Sequence, residues 1–243
     1  MKQPFTSILF DLDGTLVNSA PGITATLAYT FERLGMPIPT PVELLEYVGP
    51  PILDSFRDLA GFTPEESANA LLIYREKYLK EGVFDATVYP GIPELLRAVH
   101  ARGIPLSLAT SKPELPATLI LEHTGLVKYF DIITGASEDE VRSAKKDVVF
   151  EALVRLTAVG ADVSNTVMVG DRIHDVEGAA EHGVPTLFVE WGYGSPAEAV
   201  GTIGSASTAA ELEAMLLDRG QVNTGQLNTG PGNTEPGNTG PGN

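Results

Sequence analysis

The chain has 243 residues, 43% hydrophobic and 20% charged, which is the make-up of a globular protein with room for one large folded unit or two modest ones. Its 16 basic and 32 acidic residues leave a net charge of −16, a field that repels phosphate backbones and anionic lipids and argues against a nucleic-acid polymer or a membrane as partner. The absence of cysteine excludes disulfides, Cys-based zinc sites and thiolate nucleophiles, and fits a reducing compartment.

At the N-terminus, "MKQPFTSILFD" has one lysine and an apolar stretch that Asp11 cuts short, so it does not read as a signal peptide. No run approaches the ~18 apolar residues of a membrane span. The expectation is a soluble, cytoplasmic protein. The first predicted strand is "SILF", 7–10, and it runs straight into Asp11 and Asp13. Residues two apart on a strand point the same way, so both carboxylates can face one site. Gly14 then permits a tight turn, and Thr15 can cap the segment after it. Taken alone, the stretch is also compatible with a solvated strand-end turn.

Phe10 and the next strand, "IPLSLAT" at 104–110, are separated by far more chain than one crossover helix needs. Within the gap, Ile23, Leu27, Phe31 and Leu34 fall near one helical face. "TPEESANALLIYREKYL" opens with Thr63 as N-cap and Pro64 at the first helical position. This insertion, 16–88, reads as a small helical domain set above the C-terminal end of the first strand, where open α/β sheets bind ligands. Arg57 in its "DSFRDL" segment is either a contact for a second anionic group of a substrate or an exposed helix arginine.

The second strand ends in "LATSKP". Thr110 and the Ser111 amide can bind a phosphate oxygen beside a helix N-terminus, or serve as an ordinary helix cap. Lys112 is a second candidate for substrate contact. Further strands are predicted at "FDIIT" (130–134), "TVMVG" (166–170) and "TLFVE" (186–190), and helices at "PELLRAVHARG", "KKDVVFEALVRL", "DVEGAAEHG" and "AAELEAMLLDRG". Lys145 and Lys146 open one helix against its dipole, which suggests a local anion for one of them and a surface position for the other. In "VMVGDRIHD" a buried strand again ends in an acid, Asp171, with Asp175 four residues on. A helix beginning there would put both on one face, although Asp175 alone is also a favourable first-turn acid. Several carboxylates converging on one sheet edge call for a hard divalent cation, with Mg2+ favoured where a phosphate completes the shell. The four histidines, His100, His123, His174 and His182, read as surface residues, and Trp191 and Tyr193 in "EWGYGS" as packing for a turn. From Asn223 the chain repeats an Asn-Thr-Gly-Pro-Gly unit with too little apolar surface to order itself, so 221–243 is expected to be a disordered tail.

The ordered set of Asp-x-Asp-Gly-Thr, a hydroxyl, a lysine and Gly-Asp-x-x-x-Asp resembles the haloacid dehalogenase-like phosphohydrolases, over roughly 4–218. "VGPPILDSF", "VYPGIPELL", "ATSKPE", "VGDRIHDVEGA" and "EWGYGS" are most similar to the phosphoglycolate phosphatase and 5′-nucleotidase branch, with the first-type helical cap. The resemblance implies a Rossmann-like, doubly wound parallel α/β core (1–15 and 89–220) with an inserted α-helical cap (16–88). It implies that Asp11 is the nucleophile and Asp13 the general acid and base. Thr110 and Lys145 hold the phosphoryl oxygens, with Ser111 and Gly14 in support. Asp11, Asp171 and the Asp13 carbonyl bind Mg2+, with Asp175 in support. Lys145 rather than Lys146 fits the family register through "KDVV". The expected substrate is a small phosphorylated metabolite, and the expected assembly a monomer or homodimer. The competing expectations are a β-phosphoglucomutase-like phosphotransferase and a non-catalytic phosphate-binding or interaction module.

Overall fold

The computed structural model describes residues 5–218, so the predicted tail at 221–243 lies outside the described residues. In chain order the strands are β1 (Ser7–Phe10), β2 (Val17–Asn18), β3 (Thr87–Val88), β4 (Leu106–Pro113), β5 (Ile132–Ala136), β6 (Thr166–Gly170), β7 (Thr186–Val189) and β8 (Gly204–Ala206). The helices are α1 (Ala20–Arg33), α2 (Pro41–Leu45), α3 (Ile52–Asp58), α4 (Pro64–Lys80), α5 (Ile92–Ala101), α6 (Glu114–His123), α7 (Lys145–Ala158), α8 (Ile173–Ala180) and α9 (Ala209–Leu217).

Six strands form one parallel sheet in the order β5-β4-β1-β6-β7-β8. The chain winds from β1 outward through β4 to β5, then returns to β6 and winds the other way to β8. That reversal beside β1 is the topological switch point, where the C-terminal strand ends splay to form a crevice. Both faces are covered, as the apolar runs require. On one face Leu9, Ala109 and Met168 pack with Val148, Val149 and Ala152 of α7 and Ala179 of α8. Their neighbours Ile8, Phe10, Leu108 and Val167 point the opposite way, into a core shared with α5, α6 and α9.

The helices α1 to α4 lie between β2 and β3, which pair antiparallel as a two-residue ribbon, Val17 opposite Val88 and Asn18 opposite Thr87. They close around an aromatic cluster. Phe56 stacks on Phe62 with centroids 5.8 Å apart, and Phe31 lies 6.3 Å from Phe56. Thr63 caps α4 as predicted, with Glu66 completing a capping box. Among the described residues no helix is long and apolar enough to cross a membrane.

One departure from the predicted elements bears on function. β4 does not end at Thr110 but continues to Pro113, and α6 begins at Glu114 with no side-chain cap. Thr110 and Ser111 are therefore not helix caps. Between Ala109 and Pro113 the register slips: Ala109 faces Thr134, yet Pro113 faces Ala136, so four steps along β4 match two along β5. A bulge of this kind bends a strand and re-aims its side chains. It spans Thr110, Ser111 and Lys112.

Candidate active site

The predicted residues converge at the C-terminal ends of β1, β4 and β6. Asp11, one residue past β1, is 5% exposed. Lys145, the first residue of α7, reaches across with its side chain 5% exposed. Its ammonium sits 2.7 Å from Asp11 Oδ1, 2.8 Å from Asp175 Oδ1 and 3.0 Å from the Ala109 carbonyl. Lys146, by contrast, is half exposed and lies 3.8 Å from Glu181. The structure thus separates the two lysines that the sequence left side by side.

Asp171 follows β6 directly and precedes α8, so it is not on a helix face with Asp175. The two meet because Asp175 reaches back: its Oδ2 accepts the Asp171 and Arg172 amides at 3.1 and 3.0 Å, capping α8. Asp171 Oδ1 accepts from the Thr15 hydroxyl at 3.0 Å, and Oδ2 from the Tyr193 amide at 2.7 Å. Thr15 therefore orients a carboxylate rather than capping a helix. Gly14 turns with φ of 85°, and a Cβ there would fall 2.2 Å from Asp171 Oδ2. A side chain at that position would displace the acid as well as strain the turn.

Asp13 is equally buried but has its own partners. Ser19 Oγ donates to its Oδ1 at 2.5 Å, and the Lys112 ammonium lies 3.0 Å from its Oδ2. Lys112 also donates to the Tyr78 hydroxyl at 2.9 Å, and Tyr78 belongs to α4. Two adjacent acids thus have separate environments. Asp11 faces lysine and carboxylates of the sheet edge, whereas Asp13 faces groups tied to the inserted helices. Thr110, 1% exposed, accepts the Lys112 amide at 3.3 Å within the bulge.

One ammonium among Asp11, Asp171 and Asp175 leaves the cluster short of positive charge. Burial, then the charges of Asp175 and Asp11, push the Asp171 carboxyl well above its usual range. Burial also raises Asp175, although Lys145 opposes the shift. Burial alone would lower Lys145, but the charges of Asp11 and Asp175 outweigh it and hold the ammonium above its ordinary value. Each of the three acids can offer an oxygen within 4.8 Å of the others. An all-oxygen, charge-deficient donor set of this kind fits a hard divalent cation.

Several contributors were not legible in the sequence. The loop after β7 does more than pack a turn. Tyr193, whose amide holds Asp171, accepts the Ser19 and Ala20 amides on its phenol at 2.9 and 3.0 Å and donates to Asn18 Oδ1 at 2.9 Å. It caps α1 from outside, because the Ser19 hydroxyl is turned away onto Asp13. Trp191 donates to the Thr15 carbonyl at 3.1 Å. On α4, Arg75 pairs with Glu140 and donates to the Glu138 carbonyl at 3.2 Å, joining the inserted helices to the loop after β5. Glu140 adopts φ of 61°, left-handed for a residue with a side chain. Arg57 pairs with Asp54 at 3.1 Å, nearly half exposed, and lies outside the cavity over the site, whereas Arg75 lines it. The four histidines are all exposed, as predicted.

The family model for haloacid dehalogenase-like hydrolases matches residues 8–189. The chain is 40% identical over 187 residues to the tyrosine-protein kinase PtkA of Mycobacterium tuberculosis, covering 77% of this chain but only 62% of that protein. It is 37% identical over 194 residues to a 5′-nucleotidase of Pseudomonas aeruginosa, covering 80% of this chain and 86% of that one. The crystal structure of a predicted phosphatase from Clostridium acetobutylicum superposes with a TM-score of 0.81 at 35% identity, over 87% of this chain and 97% of its own.

Proposed function

The chain belongs to the haloacid dehalogenase-like hydrolases, and on that footing we propose that it is a Mg2+-dependent phosphatase of small phosphomonoesters, of the phosphoglycolate or 5′-nucleotide type. The observation that carries the reading is the separation of two buried carboxylates into different environments, Asp11 on Lys145 and Asp13 on Ser19 and Lys112. One is arranged to attack and the other to move protons.

An Asp11 carboxylate oxygen attacks phosphorus. The bond to the ester oxygen breaks, and that oxygen leaves as the alcohol after taking a proton from Asp13. An aspartyl phosphate remains on Asp11. Asp13, now a carboxylate, takes a proton from water as the water oxygen attacks phosphorus. The bond between phosphorus and Asp11 then breaks, releasing inorganic phosphate. Thr110, the Ser111 amide and Lys145 hold the phosphoryl oxygens through both steps. Asp11, Asp171 and the Asp13 carbonyl would hold Mg2+, with Asp175 supporting through Lys145 and the α8 amides. The cation supplies the positive charge that lets an anionic nucleophile approach a phosphate dianion. The inserted helices exclude bulk water from the intermediate.

The test is phosphate release from a panel of phosphomonoesters with Mg2+, with EDTA and Asp11→Asn as controls. Release that is lost in both controls is the expected result. Turnover by Asp11→Asn at the parent rate would overturn the mechanism. Product analysis on a sugar phosphate separates transfer to water from transfer to sugar, the outcome a mutase would give.

A further inference from the structure

The phosphatase reaction fixes the fate of the phosphoryl group but says nothing of the alcohol it leaves. That alcohol must lie on the Asp13 side, in the cavity between the inserted helices and the β4 bulge. The cavity measures about 320 Å³, near the lower end for small-molecule sites. Asp13, Ser111 and Lys112 form its floor, and Ile23, Leu71, Tyr74 and Tyr78 lie among its walls. The Tyr74 and Tyr78 rings stack at 5.3 Å and 13°. A leaving group of only a few atoms would leave most of this apolar space to water.

Charge is the sharper discriminator. Among the lining residues two cations reach the cavity, Lys112 and Arg75, and both are already engaged. Lys112 holds Asp13 and the Tyr78 hydroxyl, and Arg75 holds Glu140 and the Glu138 carbonyl. Two carboxylates, Glu138 and Glu140, line the same space, and Asp13, which carries a proton when it acts as the acid, stands with them. A second anionic group on the substrate would find no uncommitted cation in the lining. It would have to displace Glu140 from Arg75 or sit unpaired among acids. Arg57, the alternative candidate, is not among the lining residues and pairs with Asp54 at 3.1 Å, close enough for its charge to act on Glu140.

We infer that the leaving alcohol is uncharged and ring-bearing, and that phosphomonoesters carrying a second carboxylate or phosphate are poor substrates. The inference rests on the phosphatase reading and sharpens it, setting the 5′-nucleotide type ahead of the phosphoglycolate type.

Matched substrates test it. With Mg2+, kcat/KM is compared for phenyl phosphate against 4-carboxyphenyl phosphate, and for a nucleoside 5′-monophosphate against phosphoglycolate. The uncharged member of each pair is expected to be favoured by at least about tenfold, because like-charge juxtaposition at a buried contact is heavily penalised. Glu140→Gln removes one anion and releases Arg75, so it should shift the first ratio toward the carboxylated ester by about fivefold or more. Equal or better turnover of the anionic partners, or a ratio unmoved by Glu140→Gln, overturns the inference. Calorimetric binding of the same esters to Asp11→Asn with Mg2+ reads the preference without turnover. A retained binding preference with no turnover by the parent chain sinks the phosphatase reading alone, and equal binding within each pair sinks this one.

Discussion

Replacing Lys145 with methionine keeps the length of the side chain and deletes its charge. In the structure that charge is shared between Asp11 Oδ1 at 2.7 Å and Asp175 Oδ1 at 2.8 Å, in a position 5% exposed. Removing one member of a buried ion pair destabilises by about 3–5 kcal/mol. The lower figure, about 3 kcal/mol, is appropriate here, because burial raises the Asp171 and Asp175 carboxyls, so the cluster can offset part of the lost charge by taking up a proton. For a folded unit of this size that corresponds to a melting temperature lower by about 6–12 °C. The assay is thermal unfolding at neutral pH in EDTA, then with Mg2+. Added Mg2+ should recover part of the loss, since a divalent cation restores positive charge among the same three acids. Lys146→Met is the control. Its ammonium is 49% exposed and 3.8 Å from Glu181, so a change within about 2 °C is expected. A Lys145→Met melting temperature within about 2 °C of the parent in EDTA would refute the claim that Lys145 balances the acid cluster.

Asp13→Asn should lower kcat by about 10²–10⁴, and by less on an activated ester such as 4-nitrophenyl phosphate, whose leaving group scarcely needs a proton. A uniform loss across leaving groups would contradict a proton-transfer role in the first step. Tyr193→Phe removes the acceptor of two α1 amides and is expected to destabilise by about 1–2 kcal/mol, read by urea unfolding. An unchanged midpoint would mean that α1 is capped equally well by water. Metal-free stability should fall as pH rises from mildly acidic to neutral. Asp171, Asp175 and Glu140 all have folded carboxyls raised, chiefly by burial. Stability from such groups is complete below the unfolded carboxylate value, about 4, and is lost as pH climbs through the raised folded one. Carboxyls lowered by capping, such as Glu43 and Glu66, are fully ionised across that window and contribute no slope there. Melting temperatures in EDTA that rise toward neutral pH would contradict this, and saturating Mg2+ should flatten the trend.

The sheet was legible because its central strands begin as predominantly apolar runs with no helical period. β8, "GSA", was not, since three small residues at a sheet edge carry no such pattern. β2 and β3 have two residues each and exist only by pairing across the insertion. The acids were legible because an acid directly after a buried run is locally anomalous, and this holds for Asp11, Asp13 and Asp171. The contacts that complete the site were not. Tyr78 to Lys112, Arg75 to Glu140 and Tyr193 to Ser19 join residues far apart in sequence, and nothing local marks one tyrosine among seven. The bulge in β4 escaped for a related reason. "TSKP" has the composition of a helix start, and only the pairing with β5 keeps it extended.

The two-residue ribbon of β2 and β3 makes the inserted helices a replaceable cassette. Because Val17 pairs with Val88 in a ribbon of its own, the excursion leaves and rejoins the core at adjacent points. The sheet is therefore blind to how much chain lies between them. Doubling such an excursion adds only about 0.6 kcal/mol of closure entropy. A different set of helices spliced across the same junction would leave Asp11, Lys145 and Asp171 in register and change what meets Lys112 and the β4 bulge. Grafting at Asn18 and Thr87 is accordingly a route by which this scaffold can be re-targeted, provided the new segment keeps Ser19 for Asp13 and the first-turn amides for Tyr193.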